Sequence, residues 1–438
     1  MEIGIVKNIL LDLLANFYLR DLPAITKRNI RYPEAQGSVT VITGMRRTGK
    51  TCLCYQKMRE LLDSGISKDR LLYLNFEDER LFGFALKDFQ TILDVYYERY
   101  PDNRTQLCYF FFDEIQNISN WEMFIRRLLD SEKVQITITG SSSKMLTTEI
   151  GTAMRGRSLS TEVFPFSFEE FMAYHNIYSQ VPRLGGDQVR AKLKNALNRY
   201  FLAGGFPEIQ RDDPDSAIGR LQDYVNVVML RDVLERHQVP HSQALKHLVQ
   251  AVFSAPTQKF SISNLCKSLK QLQVSCSREA IQSYIDYFCE AYLFYKVPLL
   301  TDSMARRRVN PDKLYIIDHG MIRAMALKTS ADNGMLLENM VFLHLRRQGY
   351  IVNYVNTEKE KHEIDFYARH PINKRQLLIQ SSYQIDNEKT FQRECRSLIE
   401  TGDYMKVDER LIVTWEDERE LSNGIKVVPA WKFMLSQE

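Results

Sequence analysis

A phosphate-binding loop is the clearest chemical signal in this sequence. Residues 44–51 read Gly-Met-Arg-Arg-Thr-Gly-Lys-Thr and match GxxxxGK[ST] at every fixed position. They follow an apolar run typical of a strand and precede a helical stretch, which is the context the motif requires. Such a loop surrounds an anionic phosphate with backbone N–H groups and a helix N-terminus. The predicted nucleotide-binding residues are Gly44, Met45, Arg46, Arg47, Thr48, Gly49, Lys50, Thr51 and Cys52.

The predicted hydrolytic chemistry comes from two adjacent carboxylates after another apolar run. Residues 107–112 are apolar and are followed by Asp113 and Glu114. We expect Lys50 to reach the β- and γ-phosphates, and Thr51 and Asp113 to hold Mg²⁺. Glu114 would polarise a water molecule as general base, which favours hydrolysis over transfer to another acceptor. The predicted cofactors are therefore ATP and Mg²⁺, and the alternative is an acidic strand end without a catalytic role.

Three further residues are candidates for stabilising or sensing the transferred phosphoryl group. Ser141 follows the strand-like run 134–139, where a polar side chain could contact the γ-phosphate or the attacking water. Its alternative role is to cap the next helix. Arg155 and Arg157 carry the charge that suits a phosphoryl transition state, either in their own chain or from a neighbouring copy. Their alternative is an ordinary surface loop.

The elements that must position these residues suggest a parallel sheet covered by helices. Four short apolar runs, 38–43, 71–76, 107–112 and 134–139, alternate with helical stretches. This order is typical of a parallel α/β sheet that is buried on both faces. Residues 1–37 add one amphipathic helix and a connector. The sequence therefore predicts an α/β P-loop domain.

The remainder of the chain divides into a helical region, a second mixed region and a tail. The predicted domains are 1–165, a P-loop ATPase domain with an N-terminal helix; 166–240, a helical lid; 241–330, a winged-helix-like domain; and 331–438, an α/β domain.

A basic helix-turn-helix pattern lies in the third of these domains. Helical stretches at 262–272 and 278–291 are joined by a short turn, and an extended run follows at 292–300. The pattern resembles a winged helix, in which the second helix can enter a DNA major groove. The predicted nucleic-acid contacts are Arg278 and Gln282 on that helix and Arg306, Arg307 and Arg308 on the following turn. The alternative is a module for packing or protein contact.

Several stretches together resemble AAA-type (MNS-clade-like) ATPases of bacteria and archaea with a C-terminal domain of unknown function. The matching stretches are GMRRTGKT (44–51), YLNFEDERL (73–81), FFFDEIQNISNWE (110–122), ITGSSSKML (138–146), GRSLSTEVFPFSFEEF (156–171), AGGFPEI (203–209), KLYIIDHGM (313–321), LENMVFLHLRRQGY (337–350) and HEIDFYA (362–368). The resemblance implies an AAA-type ATPase whose last domain has a restriction-endonuclease-like fold.

The residues of that last domain depart from the nuclease pattern. Such a fold holds Mg²⁺ with a strand-end Asp followed by an acid-x-Lys triplet, and the Lys stabilises developing charge. Asp365 matches the first position and Glu338 lies on the preceding helix, but Gln380 stands for the acid and Ser382 for the lysine. We therefore expect a degenerate site that does not cut. The alternative for Asp365 and its neighbour Glu363 is that they are surface acids.

Composition and charge limit the remaining function classes. The 438 residues are 44% hydrophobic and 26% charged, which excludes a mostly disordered or fibrous chain. The net charge of +3 neither requires nor excludes nucleic acid. Seven dispersed cysteines favour reduced thiols in the cytoplasm, and no apolar stretch is long enough to span a membrane.

The sequence thus predicts a cytoplasmic Mg²⁺-dependent ATPase that couples hydrolysis to a conformational change on double-stranded DNA or a DNA-bound partner. One alternative is a nucleotide-gated regulatory or protein-interaction module with slow turnover. Another is an ATP-gated nuclease. A finger arginine acting between chains would further require a homo-oligomer.

Overall fold

The computed structural model describes residues 3–142, 151, 154–177, 186–303, 305–306, 310–326, 332–356, 363–385, 388–421 and 423–436. The chain forms two compact units that divide between Phe164 and Pro165. The finer division into four predicted domains stays a prediction. None of the helices in the described ranges is long and apolar enough to cross a membrane.

The first unit is a parallel sheet with helices on both faces. Its elements are α1 (Ile3–Leu19), β1 (Val39–Thr43), α2 (Lys50–Asp63), β2 (Leu71–Asn75), α3 (Phe89–Arg99), β3 (Cys108–Asp113), α4 (Trp121–Ser131), β4 (Val134–Gly140) and β5 (Ser158–Glu162). Short 3₁₀ turns lie at Lys68–Arg70, Glu79–Leu81, Leu86–Asp88, Pro101–Arg104 and Ile115–Asn117. The strand order is β2-β3-β4-β1-β5, and every pair is parallel.

Burial explains why the strands of this sheet are apolar. Helices on both faces leave β1 buried along its whole length, so its residues need no polar alternation. On α1, Val6, Leu10 and Leu14 recur every four residues and enter the larger core together. On the opposite side, Met58 of α2 packs in a second core.

The edge strand β5 was not predicted, and its composition explains why. Its residues Ser-Leu-Ser-Thr-Glu are partly exposed, so they lack the apolar run that identified the other four strands. Its pairing with β1 places the preceding residue, Arg157, at the amino ends of the strands.

The second unit contains helices, a two-stranded hairpin and a mixed sheet. Its helices are α5 (Phe168–Tyr174), α6 (Gly186–Ala203), α7 (Pro214–Val227), α8 (Ser242–Ser254), α9 (Ile262–Gln271), α10 (Arg278–Glu290), α11 (His319–Met325), α12 (Asn333–Arg347), α13 (Glu388–Met405) and α14 (Ala430–Phe433), with a 3₁₀ turn at Glu208–Arg211 and a π-helix at Val228–Glu235. Its strands are β6 (Phe294–Val297), β7 (Lys313–Ile316), β8 (Ile351–Asn356), β9 (Glu363–Arg369), β10 (Gln376–Ser382), β11 (Glu409–Thr414), β12 (Arg419–Glu420) and β13 (Ile425–Pro429).

The strands of this unit form two sheets. β6 and β7 pair as an antiparallel hairpin. The larger sheet has the order β12-β13-β11-β10-β9-β8. Its pairs β10–β11 and β11–β13 are parallel, and the others are antiparallel. Strand β6 covers only the centre of the predicted extended run 292–300. Tyr292 has a φ of +61° and still belongs to the turn that ends the preceding helix, and Pro298 has no N–H to continue the ladder.

Two motifs quoted for the resemblance meet inside this unit. Asp318 is fully buried, caps the N-terminus of α11 and accepts a hydrogen bond from the N–H of Gly205 at 2.7 Å. Gly204 has a φ of +82°, and a Cβ there would lie 2.2 Å from Asp318 Oδ1. The glycine pair therefore lets the backbone approach a buried carboxylate closely.

Candidate active site

The phosphate loop lies at the carboxyl end of β1 in an anion-binding geometry. Gly44 has a φ of +142°, and a Cβ there would lie 2.3 Å from the carbonyl oxygen of Val163. Gly49 has a φ of +101° and immediately precedes α2. No side chain caps α2, and its first turn holds no acidic residue. The first N–H groups of this helix are thus directed toward the loop with a favourable dipole for phosphate.

A buried arginine outside the motif holds the loop backbone through hydrogen bonds. Arg28 donates from Nη1 to the carbonyl oxygen of Thr48 and from Nη2 to that of Phe164, both at 2.7 Å. Its side chain is only 4% exposed. Within the loop, Thr48 Oγ1 donates to the carbonyl oxygen of Met45 at 2.9 Å. These bonds fix the loop backbone independently of a ligand.

Lys50 places its ammonium group within the loop. Nζ lies 3.3 Å from the carbonyl oxygens of Gly44 and Met45 and 3.2 Å from Oε1 of Glu114. The lysine is therefore adjacent both to the phosphate cradle and to the predicted general base.

Asp113 is the centre of a buried hydrogen-bond network. Its Oδ2 accepts from Thr51 Oγ1 at 2.7 Å and from the hydroxyl of Tyr73 at 2.9 Å, and its Oδ1 accepts from Thr139 Oγ1. Burial raises the pKa of Asp113, while the hydrogen bonds from Thr139 and Thr51 oppose that change. The pair of Thr51 hydroxyl and Asp113 carboxylate offers the hard oxygen ligands that Mg²⁺ prefers.

Glu114 is held in an unusual backbone conformation beside this network. Its φ is +51°, which is rare for a residue with a side chain. Its backbone N–H donates to Thr139 Oγ1 at 2.9 Å, and Gln116 donates to its carboxylate. Burial alone would raise the pKa of Glu114, but Lys50 and Gln116 hold it below its ordinary value. The carboxylate is thereby kept ionised, as a base must be.

Ser141 follows β4 and brings an unused hydroxyl to the same edge of the sheet. Its side chain is 1% exposed, and its Oγ has no hydrogen-bond partner among the described residues. Buried hydroxyls normally have partners, so this group has bonding capacity available for a ligand. The alternative, capping of the next helix, concerns residues 143–150, which lie outside the described part of the chain.

The other predicted loop residues have different surroundings. Arg46 forms an ion pair with Glu77 at 2.8 Å, Arg47 adopts a φ of +67°, and Cys52 is an exposed free thiol. All seven cysteines are free thiols in the structure. Arg46 therefore has an acidic partner after β2.

The structure places Arg155 and Arg157 away from the phosphate loop of their own chain, and their catalytic roles stay predictions. The carbonyl oxygen of Arg157 accepts from Val39 at the start of β1, and its guanidinium contacts Asp130 at 2.6 Å. The loop lies beyond the other end of that strand, about 17 Å away at roughly 3.3 Å per residue. Arg155 is exposed in the same turn. This position suits a role at the nucleotide of a neighbouring copy better than a role in the same chain.

Three residues of this site escaped sequence analysis. Tyr73 and Thr139 orient Asp113, and Arg28 supports the loop. For Thr139, an available signal was its place near the carboxyl end of β4, where neighbouring parallel strands also end. Arg28 has no such signal, because it lies in an irregular connector.

The predicted nucleic-acid residues lie on and near α10. Arg278 is its first residue, and both Arg278 and Gln282 are exposed and line an open depression of about 370 Å³. Arg306 is also exposed, whereas Arg307 and Arg308 lie outside the described residues. The hairpin β6–β7 follows α10 along the chain, and its identity as a wing stays a prediction.

The structure brings the predicted degenerate nuclease residues together. Glu338 and Asp365 both contact Lys313 Nζ, at 3.0 and 3.2 Å. Gln380 Oε1 accepts from the backbone N–H of Asp365 at 3.3 Å. The alternative that Asp365 is a surface acid is wrong, because it is only 8% exposed. Burial raises the pKa of both Glu338 and Asp365.

Two family models match separate stretches of the chain. A model described as an AAA domain matches residues 36–172, which confirms the predicted AAA-type P-loop ATPase domain. A model described as a domain of unknown function matches residues 194–332. This confirms that a domain of unknown function follows the AAA domain. The restriction-endonuclease-like fold of the tail stays a prediction.

Two relatives match across most of the chain. The uncharacterized protein MJ1544 of Methanocaldococcus jannaschii is 34% identical over 439 residues, covering 97% of this chain and 94% of its own. An uncharacterized protein of Haemophilus influenzae is 31% identical over 332 residues, covering 76% and 79%. Among solved structures, the Walker-type ATPase PABY2304 of Pyrococcus abyssi matches 70% of this chain and 99% of its own, with 13% identity and a TM-score of 0.43.

Proposed function

This chain belongs to the family of MJ1544 and carries an AAA-type ATPase domain, and from this we propose that it binds and hydrolyses MgATP at the phosphate loop. The observation that carries the proposal is the convergence of Lys50, Thr51, Asp113 and Glu114 through contacts of 2.7–3.2 Å. The free hydroxyl of Ser141 lies at the same edge. These are the groups that binding a triphosphate and activating water require.

In the proposed reaction, the residues of this chain have separate tasks. The loop N–H groups and Lys50 bind the phosphates, while Thr51 and Asp113 would hold Mg²⁺. When bound, that ion offsets negative charge on the phosphate oxygens. Glu114 orients a water molecule and accepts its proton as the water oxygen bonds to the γ-phosphorus. The bond from that phosphorus to the β–γ bridging oxygen breaks, and ADP and phosphate result.

Two substitutions test this proposal. Lys50→Ala removes the cation from the cradle, and we expect no ATP binding in a direct binding assay. Glu114→Gln keeps the shape but cannot accept the proton, so we expect ATP binding with hydrolysis at least about tenfold slower. Glu98→Gln serves as the matched control, because Glu98 is 64% exposed on α3 and pairs with Lys7. Unchanged affinity in the first variant, or wild-type turnover in the second, would contradict the assignment.

We further propose that the second unit couples hydrolysis to double-stranded DNA through a winged-helix-like arrangement of α8–α10 and the β6–β7 hairpin. The supporting observation is that Arg278 and Gln282 are exposed in the N-terminal half of α10 and line one depression. Side chains in that part of a recognition helix reach base edges, while basic residues contact phosphates.

The ATPase rate with and without duplex DNA, measured over a salt series, tests this coupling. Stimulation that fades as salt rises, and that Arg278→Ala reduces, is expected because phosphate contacts release counterions. Arg211→Ala is the matched control, since Arg211 donates to Tyr174 and does not line that depression. A rate unaffected by DNA would instead favour the alternative of a nucleotide-gated protein-interaction module.

A further inference from the structure

A second lysine–carboxylate cluster lies in the second unit and has no part in the proposed ATPase reaction. Lys313 is the first residue of β7 and its side chain is 3% exposed. Its Nζ lies 3.0 Å from Glu338, 2.8 Å from Glu363 and 3.2 Å from Asp365. We call these four residues the Lys313 cluster. They come from the stretches 313–321, 337–350 and 362–368, three of those on which the family resemblance rests, and the fold brings these stretches together.

The geometry of this cluster suits an ammonium ion. A lysine has three N–H donors, and here three carboxylates surround Nζ, one for each donor. The separations of 2.8–3.2 Å are those of N–H···O hydrogen bonds, whereas Mg²⁺ would need oxygens at about 2.0–2.1 Å. Within the described residues, no group of three or more Asp, Glu, His or Cys side chains is placed to hold a metal ion.

The outer partners of the carboxylates are also supplied by the protein. Glu338 accepts from the hydroxyl of Tyr315 at 2.7 Å and from Thr257 Oγ1 at 3.0 Å. Asp365 Oδ2 accepts from the backbone N–H of Ser381 at 3.0 Å, and Glu363 pairs with Lys259 at 2.5 Å. Such a satisfied network needs no further cation, whereas a buried acidic cluster without one would be costly.

We propose that the ammonium group of Lys313 is a built-in cation that replaces a divalent metal ion in this cluster. The second unit then binds no Mg²⁺ there and cleaves no phosphodiester. The ion pairs instead fasten the β6–β7 hairpin to α12 and β9. A catalytic lysine in a nuclease needs a donor free for the scissile phosphate, and here all three donors face carboxylates. This differs from a simple loss of the lysine expected at Ser382, because the positive charge is restored from another strand.

Mn²⁺ binding to the full-length, nucleotide-free protein tests the proposal. Wild type and Asp365→Asn are expected to bind the same number of Mn²⁺ ions by electron paramagnetic resonance titration. Lys313→Met removes the ammonium while keeping most of the side-chain volume, and we expect it to gain one Mn²⁺ equivalent. The double variant Lys313→Met/Asp365→Asn should lose that equivalent again. Lys259→Met is the control, because Lys259 contacts Glu363 from the partly exposed side and should bring no gain.

Each outcome decides the proposal. More Mn²⁺ bound by wild type than by Asp365→Asn would show a true metal site and overturn it, and so would Asp365-dependent nicking of plasmid DNA. This comparison does not depend on the stability of the Lys313 variant. A folded Lys313→Met protein that gains no Mn²⁺ would show that the carboxylates do not form a cation site. The result is independent of ATP hydrolysis, so the ATPase proposal can fail or succeed separately.

Discussion

Thr139→Val is the sharpest test of how the ATPase site is positioned. The hydroxyl of Thr139 accepts from the backbone N–H of Glu114 at 2.9 Å and donates to Asp113 Oδ1. These hydrogen bonds of the Thr139 hydroxyl reach neither the phosphate loop nor the Lys50 side chain. Valine keeps the shape of the side chain and removes only the hydroxyl. The substitution therefore separates orientation of the two carboxylates from nucleotide binding.

The structure gives the scale of the effect. Thr139 is fully buried, so its removal leaves the Glu114 N–H and an Asp113 oxygen without that partner in a dry environment. Each unsatisfied buried group costs about 1–3 kcal/mol, which predicts a clear loss of unfolding free energy. Glu114 already adopts a φ of +51° and depends on this bond to hold its backbone. We expect kcat to fall about 10- to 100-fold, equivalent to about 1.4–2.7 kcal/mol.

Steady-state ATP hydrolysis and calorimetric ATP binding should be measured with thermal melting of the same samples. ATP affinity is expected to stay within about threefold of wild type, about 0.65 kcal/mol, because the loop is unchanged. Thr137→Val is the matched control. Thr137 lies two residues earlier on the same face of β4 and is also buried, but its hydroxyl bonds to Tyr32. This variant should melt earlier and hydrolyse ATP normally.

Wild-type kcat in Thr139→Val, together with a lowered melting temperature, would refute the positioning role. Equal slowing in both variants would show that general destabilisation of β4 lowers the rate. Only slowing confined to Thr139→Val supports the geometric argument.

Two further predictions concern buried cationic or titratable groups. Arg28→Ala removes hydrogen bonds to the carbonyl oxygens of Thr48 and Phe164, and ATP affinity should fall about tenfold by calorimetry, while exposed Arg31→Ala leaves it unchanged. Burial lowers the pKa of His344 from 6.5 to about 3, so the native state stays neutral where the unfolded chain takes up a proton. Unfolding free energy should therefore fall as pH drops through 6.5 toward 3, by about 1.4 kcal/mol at pH 5.5 relative to pH well above 6.5, and melting curves of His344→Gln should show a weaker acid dependence. An identical acid dependence in that variant would contradict the second prediction.

The residues expected to contact the nucleotide, Mg²⁺ and water could be predicted because each belongs to a short, contiguous sequence motif. The loop is contiguous, and Asp113 and Glu114 end an apolar strand. The supporting residues were not predictable, because their contacts depend on strand order. Thr139 reaches Asp113 only because β3 and β4 are neighbours, and Tyr73 only because β2 lies on the other side of β3.

Arg157 is a residue whose place in the sequence suggested the wrong end of the sheet. An arginine soon after the fourth apolar strand was expected at the nucleotide edge of the sheet. The chain instead returns to the amino ends of the strands before starting β5, whose polar residues conceal a strand. Lys313 was missed for a related reason. Its partners Glu338 and Asp365 are 25 and 52 residues away, and sequence spacing alone could not bring them together.

Lys50 and Lys313, the two lysines that are buried among the described residues, differ in whether their ammonium group can still bind a ligand. Lys50 contacts only one carboxylate, at 3.2 Å, and its other two contacts are neutral backbone carbonyl oxygens at 3.3 Å. A phosphate with more negative charge can displace such partners. Lys313 instead faces three carboxylates, and an incoming anion that drew it away would leave the buried Glu338 and Asp365 without their cation. Because one carboxylate faces Lys50, we expect this lysine to bind a nucleotide. Because three carboxylates face Lys313, we expect it to link secondary-structure elements and to bind no ligand.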